Sequence, residues 1–188
     1  FKHEYLDNDI LIENTNQLIS GVNKGHYYIC CLNTNINYYN TYTFTFKFNG
    51  KLDIWDEVSI GLINIKYKPS KHERYDYNID SIGNDINGNS IGYKFTNIST
   101  DIMHKGSVIC NVDYQEILTN NDIIIITVTN IINSNTFLIE CNIPGKRFIF
   151  PVIKFYSLYD CKIACGIKTR SANNQSLTLL NQQTNKIY

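Results

Sequence analysis

Proline is scarce in this chain, three in 188 residues, and tryptophan and methionine occur once each. Helical periodicity is missing too. No stretch of ten or more residues shows a convincing apolar stripe at helical spacing, and the nearest approach is the weak pattern of SLTLLNQQTNKIY at the end. This excludes a helical bundle. No apolar run nears the roughly 18 residues of a membrane-spanning helix; the longest, Ile123 to Val128, has the length of a strand. Charge of either sign is not in surplus, with 17 basic against 17 acidic residues. A protein that grips nucleic acid through its phosphates carries a basic excess, so nucleic acid is not an expected partner.

The chemical motifs are equally thin. Six cysteines stand at 30, 31, 110, 141, 161 and 165, none in a C-x-x-C pair, and the four histidines (3, 26, 72, 104) have no metal-ligand spacing. Nucleotide-binding loops and serine-nucleophile elbows are absent as well. A cysteine nucleophile meeting a distant histidine only in space is the one catalytic arrangement left open. The expectation is a protein that is not an enzyme and needs neither metal nor cofactor. Cys30, Cys110, Cys141 and Cys161 lie in apolar, strand-like surroundings, which reads as buried free thiols in a reducing, intracellular compartment, the cytoplasm. The chain opens on Phe1, and we read it as a piece of a longer protein.

What is abundant is Asn, Ile, Lys and Tyr, residues with AT-rich codons, so Asn-based motifs are discounted. The segment Asp80 to Tyr93 (DSIGNDINGNSIGY) has the composition of a calcium loop but not its ligand order. With Gly88 as the sixth-position glycine, the first position is Gly83 and the twelfth is Lys94, a cation where a bidentate carboxylate is needed.

Alternation with a period of two runs through most of the chain. In TYTFTFKF, Tyr42, Phe44, Phe46 and Phe48 fall on one face and Thr41, Thr43, Thr45 and Lys47 on the other. Further strands are expected at 10–13, 27–32, 58–65, 91–95, 107–113, 123–128, 136–141, 150–155 and 161–167. Many short strands between polar turns predict an all-β antiparallel sandwich or barrel. Residues 1–168 form a single domain on this reading, and residues 169–188 a polar tail, either a short helix or disordered.

The order of the pieces is informative. Tyr42 to Phe48 leads to Ser59-Ile60-Gly61-Leu62, then Ser81-Ile82-Gly83 with Asp85, Asn87 and Gly88. Next come Gly106-Ser107-Val108-Ile109 with Asp113, and finally Phe150-Pro151-Val152. This succession resembles the SPRY domain, a bent two-sheet antiparallel sandwich used for protein recognition. The resemblance implies that the glycine-rich segment is a structural strand-to-turn element. It departs from the family's usual motifs at Thr45, Ser107 and Cys110, where an acidic residue, Asp and Gly are usual.

The resemblance also implies a protein or peptide partner held by loops at one edge of the sandwich, in an adaptor or scaffold role. The loop Lys66 to Asp80 offers Tyr67, Arg74, Tyr75 and Tyr77, residue types that dominate binding hot spots. Tyr156 and Tyr159 follow the FPVIKF strand, and Tyr93 follows the glycine-rich element. Trp55 fits either an exposed anchor or a plug under a loop. Two other classes share this architecture: a carbohydrate-binding sandwich of the lectin type, and a purely structural domain packed in a larger assembly.

Overall fold

The computed structural model describes residues 17–19, 27–54, 56–66, 82–83, 87–113, 118–131, 133–146, 149–168 and 175–186. Twelve strands appear in chain order: β1 (Gln17–Ile19), β2 (Tyr27–Ile36), β3 (Asn40–Asn49), β4 (Glu57–Asn64), β5 (Ser90–Phe95) and β6 (Ser99–His104). They continue with β7 (Ser107–Asp113), β8 (Ile123–Asn130), β9 (Thr136–Asn142), β10 (Ile153–Tyr156), β11 (Cys161–Lys168) and β12 (Ser176–Lys186). Two six-stranded sheets result, ordered β1-β12-β3-β8-β9-β10 and β2-β11-β4-β5-β6-β7. Neighbouring strands are antiparallel throughout.

The alternation of β3 becomes burial: Tyr42, Phe44, Phe46 and Phe48 all point into the core, each contributing roughly 2–3 kcal/mol of apolar burial. Ile124, Ile126 and Val128 of β8 and Phe137 and Ile139 of β9 extend that layer. The facing layer comes from Val58, Ile60 and Leu62 of β4, Tyr93 and Phe95 of β5, and Ile163 and Ile167 of β11. Strands β4, β5, β6 and β11 are buried on almost every residue, so their sheet is covered on its outer side too.

Part of that outer cover explains the glycine-rich segment. Ile82 is buried in a small second cluster with Cys31, Ile63 and Ala164, against the outer side of the sheet. It sits over Gly61 and Gly92, two glycines paired across β4 and β5. Gly83, at φ +90°, passes so close to the Met103 backbone that a Cβ there would fall 2.1 Å from its carbonyl oxygen. Its N–H donates to Ser90 Oγ at 2.8 Å, and its carbonyl accepts from Gly106 N–H at 3.0 Å. The segment is thus structural at Ile82–Gly83; Asp85 lies outside the described residues.

Three expectations need correcting. Residues 176–186 are neither tail nor helix: β12 lies between β1 and β3, with Leu177 opposite Phe48 and Leu179 opposite Phe46. The Leu179-Leu180 doublet spans a bulge, which breaks the visible alternation. Strand β6 was not expected, because its inward and outward positions include the buried polar residues Ser99, Thr100 and Asp101. Asp101 is satisfied there by Lys94 Nζ at 3.1 Å and Asn111 Nδ2 at 2.6 Å. The short β1 was also unanticipated, and the strand expected at 10–13 lies outside the described residues, as does Trp55.

Cys31, Cys141, Cys161 and Cys165 are buried, and Cys110 is partly exposed. Burial pushes the Cys161 thiol from an ordinary 9.0 up to about 12, and lifts Cys141 as well. The unfolded chain therefore releases these protons first as pH rises. Stability is fully present below pH 9 and falls as pH climbs toward 12. Urea midpoints measured between about pH 8 and about pH 11 should decline, and Cys161→Ala should flatten the slope. A slope identical in the two proteins would contradict this assignment.

Candidate recognition surface

Four chain segments meet at one end of the sandwich: the β2–β3 turn, the end of β4 at Ile65 and Lys66, the β8–β9 turn, and the β10–β11 turn. The β2–β3 turn is made by Asn37, whose side-chain oxygen accepts from Tyr39 N–H at 3.0 Å, an Asx turn, and from Asn40 Nδ2 at 3.0 Å. The neighbouring Tyr38 ring stacks on Phe137 with centroids 4.9 Å apart. Its hydroxyl donates to the Ser157 carbonyl and lies 3.3 Å from the Tyr159 carbonyl. Burial, and then the nearby Cys161, Asp160 and Tyr156, raise the Tyr38 phenol above its ordinary range, so it stays a donor.

The other turns are tied in the same way. Ser157 N–H donates to the Asn135 carbonyl at 2.9 Å, and Ile65 N–H to the Asp160 carbonyl at 3.1 Å. Ser157 Oγ donates to the Tyr159 carbonyl at 2.8 Å and accepts from Tyr159 N–H at 3.2 Å. These bonds spend the polar backbone groups of the turns on one another. Facing solvent around them are several apolar and aromatic side chains, beside the polar Lys66, Asn133 and Asn135.

Tyr39 is 76% exposed, Tyr156 63%, Leu158 61% and Tyr159 39%. Ile65 and Ile131 are exposed at the same end. Lys66 Nζ sits 3.7 Å above the Tyr159 ring centroid, a cation–π contact that holds the lysine head beside the aromatic group. Scattered single apolar side chains on a surface are ordinary, but a cluster on cross-braced turns is not. Rigid Tyr side chains expose large contact area at small entropic cost, which suits binding.

Tyr156, the last residue of β10, and Tyr159, in the β10–β11 turn, are both exposed. Tyr67, Arg74, Tyr75 and Tyr77 lie outside the described residues, which stop at Lys66 and resume at Ile82. Tyr93 is corrected. It is 0% exposed, packed edge-on against Phe150 at 5.7 Å, and its hydroxyl shares its one proton between the Pro151 carbonyl at 2.9 Å and the Ile139 carbonyl at 3.1 Å. It is a bolt between the sheets and no contact for a partner. Tyr38, Tyr39, Lys66 and Leu158 were missed. The signal for the first two was present in NYYN, a tyrosine pair between asparagines at a strand boundary. Among the described residues, no group of three or more His, Cys, Asp or Glu side chains converges.

The fold is the two-sheet antiparallel sandwich shared by SPRY domains and legume lectins. Among solved structures, the chain is similar to a human SPRY domain, with 12% identity, 93% of this chain and 97% of that one covered, and a TM-score of 0.59. It is also similar to lectin II from Ulex europaeus, at 11% identity, 98% and 94% coverage, and a TM-score of 0.59. A third likeness is to arcelin-5, a lectin-like defense protein from Phaseolus vulgaris, at 9% identity, 95% and 91% coverage, and a TM-score of 0.63. No protein-family model and no curated protein matches the sequence.

Proposed function

We propose that this domain is a non-enzymatic, intracellular recognition module that binds a peptide or partner surface through the turns at the Tyr39–Tyr159 end of the sandwich. The observation that carries this reading is the cluster of Tyr39, Tyr156, Leu158 and Tyr159, held out by turns whose own polar groups are bonded to each other. The aromatic faces supply apolar area, and Lys66 supplies one charge that favours a carboxylate on the partner. The SPRY-like fold supports a protein partner. The lectin likenesses keep sugar binding as the competing reading, because exposed tyrosine faces also stack on sugar rings.

A peptide library displayed on phage, selected in parallel on the wild type and on a Tyr39→Ala/Tyr156→Ala variant, separates the two readings. We expect sequences that enrich on the wild type and bind the variant at least 10-fold more weakly, a loss of about 1.4 kcal/mol or more. Both side chains point to solvent, so the two proteins should melt alike. Equal enrichment on both proteins would remove this end from the site. Glycans retained on an array, with no enriched peptide, would favour the sugar reading.

A further inference from the structure

We propose that Asn87 is a site of spontaneous covalent modification, in which the backbone nitrogen of Gly88 closes on the Asn87 side chain. That nitrogen gives up its proton to base and attacks the Asn87 side-chain carbonyl carbon. The bond from this carbon to the side-chain nitrogen breaks and ammonia leaves, so a five-membered succinimide forms. Water then adds to one of the two ring carbonyls, and the ring opens to aspartate or to isoaspartate. The net change is one water consumed and one ammonia released, with no oxidant or reductant.

The reaction is fast only where glycine follows asparagine, because a side chain on the attacking residue hinders the approach. The chain has two such steps, Asn49-Gly50 and Asn87-Gly88. The fold treats them differently. Asn49 is the last residue of β3, paired with Ser176, and its Nδ2 donates to Ser176 Oγ at 3.3 Å. Gly50 N–H, the group that would attack, donates to Asn120 Oδ1 at 3.0 Å. Both bonds must break before that ring can close. Asn87 is exposed in the turn before β5, and among the described residues none hydrogen-bonds its side chain or the Gly88 N–H. The turn also demands the glycine. Gly88 stands at φ +70°, and a Cβ there would fall 2.8 Å from Lys105 Cε.

The product would act on what the turn supports. The Asn89 carbonyl accepts from Asn64 N–H at 2.9 Å. Asn64 Oδ1 in turn accepts from Lys66 N–H at 2.9 Å, and Asn64 Nδ2 reaches Ser157 Oγ at 3.5 Å. Isoaspartate inserts a methylene into the main chain two residues before Asn89, and either product adds a negative charge beside Gly88. The bonds that position Lys66 should therefore loosen in the modified form.

The test is peptide mapping by mass spectrometry of the full 188-residue chain, aged at mildly alkaline pH both folded and in urea, with Asn87→Gln alongside. In the folded chain Asn87 is expected to convert at least 10-fold faster than Asn49, a barrier difference of about 1.4 kcal/mol. In urea the two rates should come together. Asn87→Gln should remove the fast site, since glutamine must close a larger ring. Equal rates at the two positions in the folded chain overturn the proposal, and so does a gap of the same size in urea. The converted protein, separated by ion exchange on its added charge, should then show faster amide exchange at Asn64 and Lys66 than the parent. Equal exchange there overturns the proposed loosening. None of these outcomes depends on peptide binding at the aromatic end.

Discussion

Gly61→Ala is expected to lose a large share of the stability of this domain. A Cβ at that position would lie 2.1 Å from the Ile91 carbonyl oxygen and 2.5 Å from Gly92 Cα. Both are backbone atoms of β5, the strand paired to β4, and neither can move without opening the ladder. The third neighbour, Ile82 Cγ2 at 2.9 Å, is a side chain that could yield. Overpacking against a flexible neighbour typically costs 1–3 kcal/mol, and contact with fixed backbone should cost about 3 kcal/mol or more. Against a total of roughly 5–15 kcal/mol for a domain, that is a large share. Gly92→Ala should cost less, since its nearest atoms are 2.9 Å away. Thermal melts of the two variants check the order. Equal melting temperatures would mean that the β5 backbone does not crowd Gly61 more tightly than Gly92 is crowded.

Tyr93→Ala comes next, with an expected loss of about 3–5 kcal/mol from a cavity between the sheets. Two contributions can be separated by Tyr93→Phe, which keeps the packing against Phe95 and Phe150 but leaves the Ile139 and Pro151 carbonyls without this donor. The phenylalanine variant should lose about 1–2 kcal/mol. Burial also raises the phenol well above its ordinary range, so the hydroxyl remains a donor at any pH where the protein is folded. Urea unfolding of the three proteins measures both steps. A Phe variant as stable as the wild type would show that the inter-sheet hydrogen bond contributes nothing net. An Ala variant within 1 kcal/mol of the wild type would contradict the core placement altogether.

These two residues also show why sequence reasoning reached some features and not others. Strand β3 was legible because a half-buried strand must alternate, and Phe44, Phe46 and Phe48 stand between threonines and a lysine. Strand β4 was legible as a nearly continuous apolar run, but the close approach of Gly61 to Gly92 across the ladder is visible only in the structure. Strand β6 was not, because its buried Asp101 is stabilised by Lys94 and Asn111, partners on neighbouring strands that no local pattern contains. Strand β12 was hidden by its bulge and by its exposed half, which has no core to enforce alternation.

The candidate surface follows the same logic. Tyr156 could be anticipated, since it follows Phe155 in an alternating strand and must point outward if Phe155 points in. Tyr93 was misplaced because a tyrosine in a strand reads the same whether its hydroxyl meets water or two carbonyls of the opposite sheet. The joining of the Asn37–Asn40 turn to Ser157 and Tyr159 depends on contacts between residues about 120 positions apart, and only the assembled fold brings them together.

The functional proposal is that recognition happens at this end of the sandwich. Hydrogen–deuterium exchange, comparing the free domain with a complex of the selected peptide, tests it most directly. Protection is expected in the Asn37–Asn40 and Ser157–Asp160 turns. Protection confined to other surfaces, with both turns exchanging as in the free domain, would contradict it.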